Sequence, residues 1–190
     1  MNQILKLWPA ILSKQYTDAI VEIGNKQPVA RTGIGFDASN NTVDTIRKSD
    51  IRWLNTLDPN NRFIVDTLWN LFVDANRDHF GFDLNYMREV QFTTYHGEQG
   101  GKYDWHKDVF WINPTMNHRK LSMTIQLSEP NEYKGGEFEI DSEFGVLEQA
   151  VIKQRGTVLV FPSFLRHRVA PVTSGMRRSL VCWAEGPRFR

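Results

Sequence analysis

The chain has 190 residues and a formal charge of +1, with 23 basic against 22 acidic side chains. That length can bury a sizeable single core, and the near-neutral balance gives no reason to expect nucleic acid or an anionic membrane as a partner. A single cysteine, Cys182, excludes an intramolecular disulfide and fits a reducing compartment, so a cytoplasmic location is the expectation.

Along the chain, the first apolar stretch is broken by Pro9 and has neither a basic lead nor a small-residue cleavage site, so no signal peptide or membrane span is read. Ser13 is placed to cap a helix in which Tyr16, Ala19, Ile20 and Ile23 recur at helical spacing up to Gly24. The polar stretch holding Gly33, Gly35, Asn40 and Asn41 reads as loop with short strands. Asp58-Pro59 starts a second helix, whose apolar face is Ile64, Leu68, Leu71, Phe72 and Ala75. From Tyr86 onward short strands alternate with turns, over 86–95, 102–108, 119–127, 136–141, 157–161, 167–171 and 177–184, with a Ser174-Gly175 turn before the last. That spacing fits a sandwich or barrel. With no internal repeat and no low-complexity segment, 1–190 is taken as one domain, with a helical support region over 1–85 and a catalytic β core over 86–186. The fold class is mainly β with N-terminal helices (α+β), the helices covering one face of the sheet.

The chemistry concentrates in the β region. In an extended strand His106 and Asp108 point the same way, with α-carbons about 6.6 Å apart, so an imidazole and a carboxylate can converge on one ion. His-x-Asp arises by chance in such a chain with an expectation of roughly a third, and alone it is weak. His167 adds a third ligand from a distant strand. Two histidines and a carboxylate leave open positions on a metal, as in non-haem Fe(II) oxygenases. Arg177 and Ser179 share one face of the last strand, where a guanidinium and a hydroxyl can hold a carboxylate. Arg178 should face the other way. The same ligand set also fits a Zn(II) hydrolase, which leaves Arg177 and Ser179 without a role, or a catalytically silent binding module, which leaves the ligands without one. Of the other histidines, His79 reads as a surface group, His96 as part of a glycine-rich turn and His118 as part of a polar turn. Cys182, in an apolar run, reads as a buried inert thiol. Trp105 and Trp183 stand out because one flanks a ligand and the other shares the strand of Arg177.

Four segments carry a family resemblance: Tyr95 to Asp108, Leu121 to Leu127, Tyr133-Lys134-Gly135-Gly136-Glu137, and His167 to Trp183. In that order they resemble the catalytic domain of Fe(II)- and 2-oxoglutarate-dependent oxygenases, in the prolyl 4-hydroxylase-like branch. The resemblance implies a double-stranded β-helix (jelly-roll) core. It also implies Fe(II) held by His106, Asp108 and His167, and 2-oxoglutarate held by Arg177, Ser179 and Tyr95. Dioxygen is then the second cosubstrate and ascorbate a stimulant. Tyr103, Trp105, Gln126 and Trp183 are the further pocket candidates, and the segments 97–101 and 109–119 are placed to act as lids. The expected reaction is hydroxylation of an unactivated C–H bond of a prolyl residue in a peptide or protein, with a free amino acid or other small metabolite as runner-up. Arg177 stands where the prolyl hydroxylases usually carry lysine. Trp183 stands where the nucleic-acid dealkylating branch carries a second arginine, which sets that branch aside. Nothing in the sequence bears on oligomeric state.

Overall fold

The structure, a computed structural model, describes residues 4–30, 46–111 and 116–189. The polar stretch around Gly33 to Asn41 lies outside them. Ser13 caps the first helix as expected: its hydroxyl accepts from the Tyr16 amide, and α1 runs Lys14–Lys26. Asp58 caps a short 3-10 turn, Pro59–Asn61, which leads into α2, Arg62–Ala75. Ile64, Leu68, Phe72 and Ala75 recur on one face of α2 and are fully buried, with Leu71 half-buried at its flank. The large side chains in such a set each contribute about 1.5–3 kcal/mol on burial.

Among the described residues there are eleven strands, numbered in chain order: β1 Lys6–Trp8, β2 Arg47–Lys48, β3 Asp50–Leu54, β4 Tyr86–His96, β5 Lys102–His106, β6 Asn117–Gln126, β7 Tyr133–Gly135, β8 Phe138–Ile140, β9 Val158–Pro162, β10 His167–Val169 and β11 Val172–Pro187. The large sheet has the order β1-β9-β6-β11-β4-β3, with β7 pairing onto the start of β11, and the small sheet has the order β2-β5-β10-β8. From β4 onward the chain passes repeatedly from one sheet to the other, and every pairing is antiparallel. This is a jelly roll.

Each strand of the large sheet has two distinct faces, because side chains alternate. Val90, Phe92, Leu121, Met123, Ile125, Leu180 and Cys182 lie in one cluster with Ile20 of α1 and Leu68 and Phe72 of α2. Burial pushes the Cys182 thiol far up, which keeps it protonated. The opposite face looks into the space between the sheets, where Leu159, Phe161, Phe138 and Val169 form a second cluster.

Four expectations change. The last two predicted strands are not divided at Ser174-Gly175: β11 runs unbroken through Gly175, whose φ of 72° makes a local kink without a chain reversal. β5 ends at His106, so Asp108 lies beyond the strand. His118 is in β6 and only 4% exposed, not in a polar turn, because Trp111 and Phe189 pack over it. Finally, the first 85 residues are not only helical support. They supply β1 and β3 at the two edges of the large sheet and β2 at one edge of the small sheet.

Candidate active site

His106 closes β5 and His167 opens β10, and the two are direct cross-strand partners. Strand pairing alone thus brings together two residues far apart in sequence. Asp108 joins them by another route: its amide and that of Val109 both donate to the Ser163 carbonyl, fixing the turn just past β5. The three side chains place one ligand atom each within 4.8 Å of one another. His106 Nε2 is 3.6 Å from Asp108 Oδ1, and His167 Nε2 is 3.5 Å from Asp108 Oδ2.

The surroundings prepare these groups for a cation. His106 Nδ1 lies 2.7 Å from the Asp104 carbonyl and His167 Nδ1 2.9 Å from the Leu165 carbonyl. A carbonyl only accepts, so each Nδ1 carries a proton and Nε2 is the ring nitrogen left to face a metal. Burial, reinforced by His167, pulls the His106 imidazole down to about 4, so it is neutral near pH 7. Burial pushes the Asp108 carboxyl up. The two histidines, Arg119 and the Ser122 hydroxyl outweigh that effect and hold it at about 2, hence ionised. Ser122 Oγ donates to Asp108 Oδ2 at 2.6 Å and is itself in contact with Ser163 Oγ. A neutral imidazole at His106 and an anionic carboxylate at Asp108 are protonation states that metal binding requires. The phenyl rings of Phe138 and Phe161 flank His167.

A cavity of about 390 Å³ opens over this triad. Its wall on β11 is made by Ser179, Val181, Trp183 and Glu185, every second residue of the strand. Arg177 precedes them on the same face. It is 3% exposed, and its Nη1 is buried without a hydrogen-bond partner among the described residues. A buried, unpaired guanidinium N–H is costly, and a carboxylate placed there would satisfy it. The Arg177 guanidinium lies 5.6 Å from the centre of the Tyr95 ring. Gly136 makes room for its stem, since a β-carbon there would come within 2.9 Å of Arg177 Cδ. The triad therefore fits a divalent metal, and the Arg177 end fits a dicarboxylate.

The remaining candidates separate. Tyr103 lines the cavity and stacks on His106, ring centres 3.5 Å apart, and burial drives its phenol up to about 12. Trp183 also lines the cavity, with its indole N–H buried and unpartnered and the Arg119 guanidinium 3.8 Å from its ring centre. Trp105 does not reach the cavity. As the neighbour of His106 on β5 it points to the outer face of the small sheet, beneath Arg166 and Arg168. Gln126 is buried on the interior face, but its amide is taken by the Ser128 carbonyl and the Tyr133 hydroxyl, and it is absent from the cavity wall. Arg178 faces the opposite side of β11, on a shallow depression with His96 and Glu132. Gly97 packs against the Ser174 backbone and residues 97–101 are absent from the cavity wall, whereas Phe110, after Asp108, does line it. Sequence reasoning missed Ser122, Arg119 and Arg47. Ser122 was accessible by parity, as a polar residue in step with Gln126 on β6.

The family model described as the 2OG-Fe(II) oxygenase superfamily matches residues 90–185, the segment that holds the triad and Arg177. The chain belongs to that superfamily. Its members use Fe(II), 2-oxoglutarate and O2, and His106, Asp108 and His167 are the residues here that can hold the iron. Among similar curated proteins of this oxygenase, a PKHD-type hydroxylase of Acidovorax ebreus is 41% identical over 90 residues, covering 45% of this chain and 39% of the relative. One of Pseudoalteromonas atlantica is 35% identical over 105 residues, covering 53% and 44%. The match thus spans about two-fifths of the length of these relatives. The oxygenase fold is shared with a viral collagen prolyl hydroxylase from Paramecium bursaria Chlorella virus-1, with a TM-score of 0.71 at 17% identity and 96% coverage of both chains. A Trichoplax adhaerens prolyl hydroxylase, solved with a hypoxia-inducible-factor peptide fragment, gives a TM-score of 0.75 at 17% identity, covering 96% of this chain and 83% of that one.

Proposed function

We propose that this oxygenase hydroxylates a prolyl residue within a peptide or protein segment. The observation that carries the oxygenase chemistry is the pairing of a metal-ready triad with a buried guanidinium, Arg177, whose Nη1 has no partner among the described residues. Iron, 2-oxoglutarate and dioxygen, when bound, would supply the oxidation: one oxygen atom of O2 goes to the cosubstrate, which loses carbon dioxide to become succinate, and the other turns an unactivated C–H bond into C–OH. The chain's own residues do the rest. His106, Asp108 and His167 hold the metal, with both imidazoles oriented by backbone carbonyls and the carboxylate by Ser122. Arg177 pairs with the remote carboxylate of the cosubstrate, and Ser179 adds a hydroxyl beside it. Trp183, Tyr103 and Phe110 form the walls that keep water from the reacting carbon.

Three lines support a prolyl substrate. The curated relatives carry the PKHD-type hydroxylase name, and the structures that share the fold include prolyl hydroxylases, one of them with a bound peptide fragment. Aromatic side chains line the cavity, including Trp53 and Trp183. Proline-rich segments are already extended and dock on aromatic grooves at low entropic cost. A cavity of about 390 Å³ also suits a free amino acid or another small metabolite, which is the second reading. The sole cysteine, free and buried, accords with a cytoplasmic location. The test is incubation with Fe(II), 2-oxoglutarate and a panel of proline-containing peptides, with free amino acids alongside. Succinate above the uncoupled background and one added oxygen on the proline ring are expected. Both signals from a small metabolite and neither from any peptide would overturn the prolyl assignment and leave the oxygenase standing.

A further inference from the structure

The cavity mouth holds more positive charge than its own acids neutralise. Glu89 is taken by Arg119 at 2.9 Å. Glu185 accepts from the Tyr86 hydroxyl, which in turn accepts from Arg88, so that pair is also satisfied. Two cations on the wall are left over, Arg47 and Lys107, neither with an ion-pair partner among the described residues. For Lys107, exposed to water, this is unremarkable. For Arg47 it is not, because Arg47 is only 5% exposed. A buried guanidinium is costly without a counter-charge. Among the described residues, Arg47 meets the Ser49 hydroxyl on Nε, at 3.0 Å, and the face of Tyr103, 4.4 Å from its Cζ.

The position of Arg47 gives this surplus charge a direction. Arg47 stacks on Tyr103, and Tyr103 stacks on His106, so the guanidinium lies two layers from a metal-ligating imidazole. It stands on β2, at the edge of the small sheet, whereas Arg177 stands on β11 in the large sheet. The two arginines therefore stand on opposite walls of the interior. We propose that Arg47 is the receptor for a carboxylate of the substrate, and that the enzyme selects a proline flanked by an acidic residue. The proposal rests on the prolyl-peptide reading above. Lys107 on the same wall adds to the field that draws such a peptide in.

The experiment uses N- and C-blocked pentapeptides with central proline, carrying Asp, Asn or Lys at one of the two positions on either side, plus free proline. Hydroxylation is followed by the gain of one oxygen, and binding by anaerobic calorimetry with Fe(II) and 2-oxoglutarate present. The best Asp peptide should have a KM about 10- to 100-fold below its Asn counterpart, as expected for a charge-assisted pair. Arg47→Gln should erase that preference through KM more than kcat, and Arg47→Lys should keep part of it. Arg47→Glu should favour the Lys peptide, a reversal that an unfolded variant cannot give. Equal KM values for Asp and Asn peptides, or an Asp preference that survives Arg47→Gln, would overturn the proposal. So would an Arg47→Gln variant that raises only the 2-oxoglutarate requirement, or free proline bound ahead of every blocked peptide. If Asp peptides bind in an Arg47-dependent way yet gain no oxygen, the prolyl reading falls and the carboxylate receptor stands.

Discussion

The two faces of the large sheet are built from the same strands and do opposite work. Toward the helices, β4, β6 and β11 present Val90, Phe92, Leu121, Met123, Ile125, Leu180 and Cys182, all buried and all apolar. Toward the small sheet the alternate positions add Gln91, Thr93, Ser122, Gln126, Arg177 and Ser179, equally buried but polar, among Tyr95, Val181 and Trp183. Buried apolar residues are the expected content of a core, whereas a wall of buried polar ones must be satisfied by partners or by a ligand. The first face stabilises the sheet. The second uses that stability to hold groups that water would otherwise scatter.

If the division is real, substitutions on the two faces fail in different assays. His106→Ala, Asp108→Ala and His167→Ala should each reduce 2-oxoglutarate turnover to background while thermal unfolding stays cooperative. An iron-loaded Asp108→Ala variant working at the parent rate would break the site assignment. Across the sheet, Phe92→Ala should lower stability by about 3–5 kcal/mol, the usual cost of a large core aromatic, as read from denaturant unfolding. Its 2-oxoglutarate KM, measured where the variant is folded, should remain near the parent value, and a large KM change would blur the two faces. Arg177→Ala should weaken cosubstrate binding by about 2–4 kcal/mol, and Arg178→Ala, one residue along and on the other side, by much less. A titration in which Arg178→Ala has the larger effect would refute the register of β11. The smallest effect should come from Ser122→Ala, which removes the 2.6 Å bond to Asp108. Iron affinity should fall about 10-fold, and excess iron should restore most of the rate; a loss that iron cannot repair would make Ser122 more than an orienting group.

Much of the site was legible because its residues lie in a few short segments. His106, Asp108, His167, Arg177 and Ser179 all stand in the motif-bearing β region, and parity along one strand suffices to separate Arg177 from Arg178. The same parity argument excludes Trp105, since a neighbour of His106 must face away; sequence proximity to a ligand was the wrong guide there. Asp108 reaches the site from beyond the strand end, held by the Ser163 carbonyl, a contact that no local pattern encodes. His118 looked like part of a turn because three polar residues surround it, and only tertiary packing by Trp111 and Phe189 buries it. Arg47 was hidden for a related reason. It belongs to a two-residue strand too short to register as a pattern, and it enters the site through pairing with β5.

The length of β11 has a kinetic consequence. From Arg177 to Glu185 one continuous strand connects the proposed cosubstrate anchor to the cavity wall, a distance of about 26 Å at the usual rise. Between Ser179 and Ala184 it is paired to β4 on one side and β6 on the other. Amides locked on both edges exchange with solvent hydrogen only when the sheet itself opens. Separating Arg177 from the far wall therefore means opening a stretch held on both edges, so amides 179–184 should be among the slowest in the sheet to exchange.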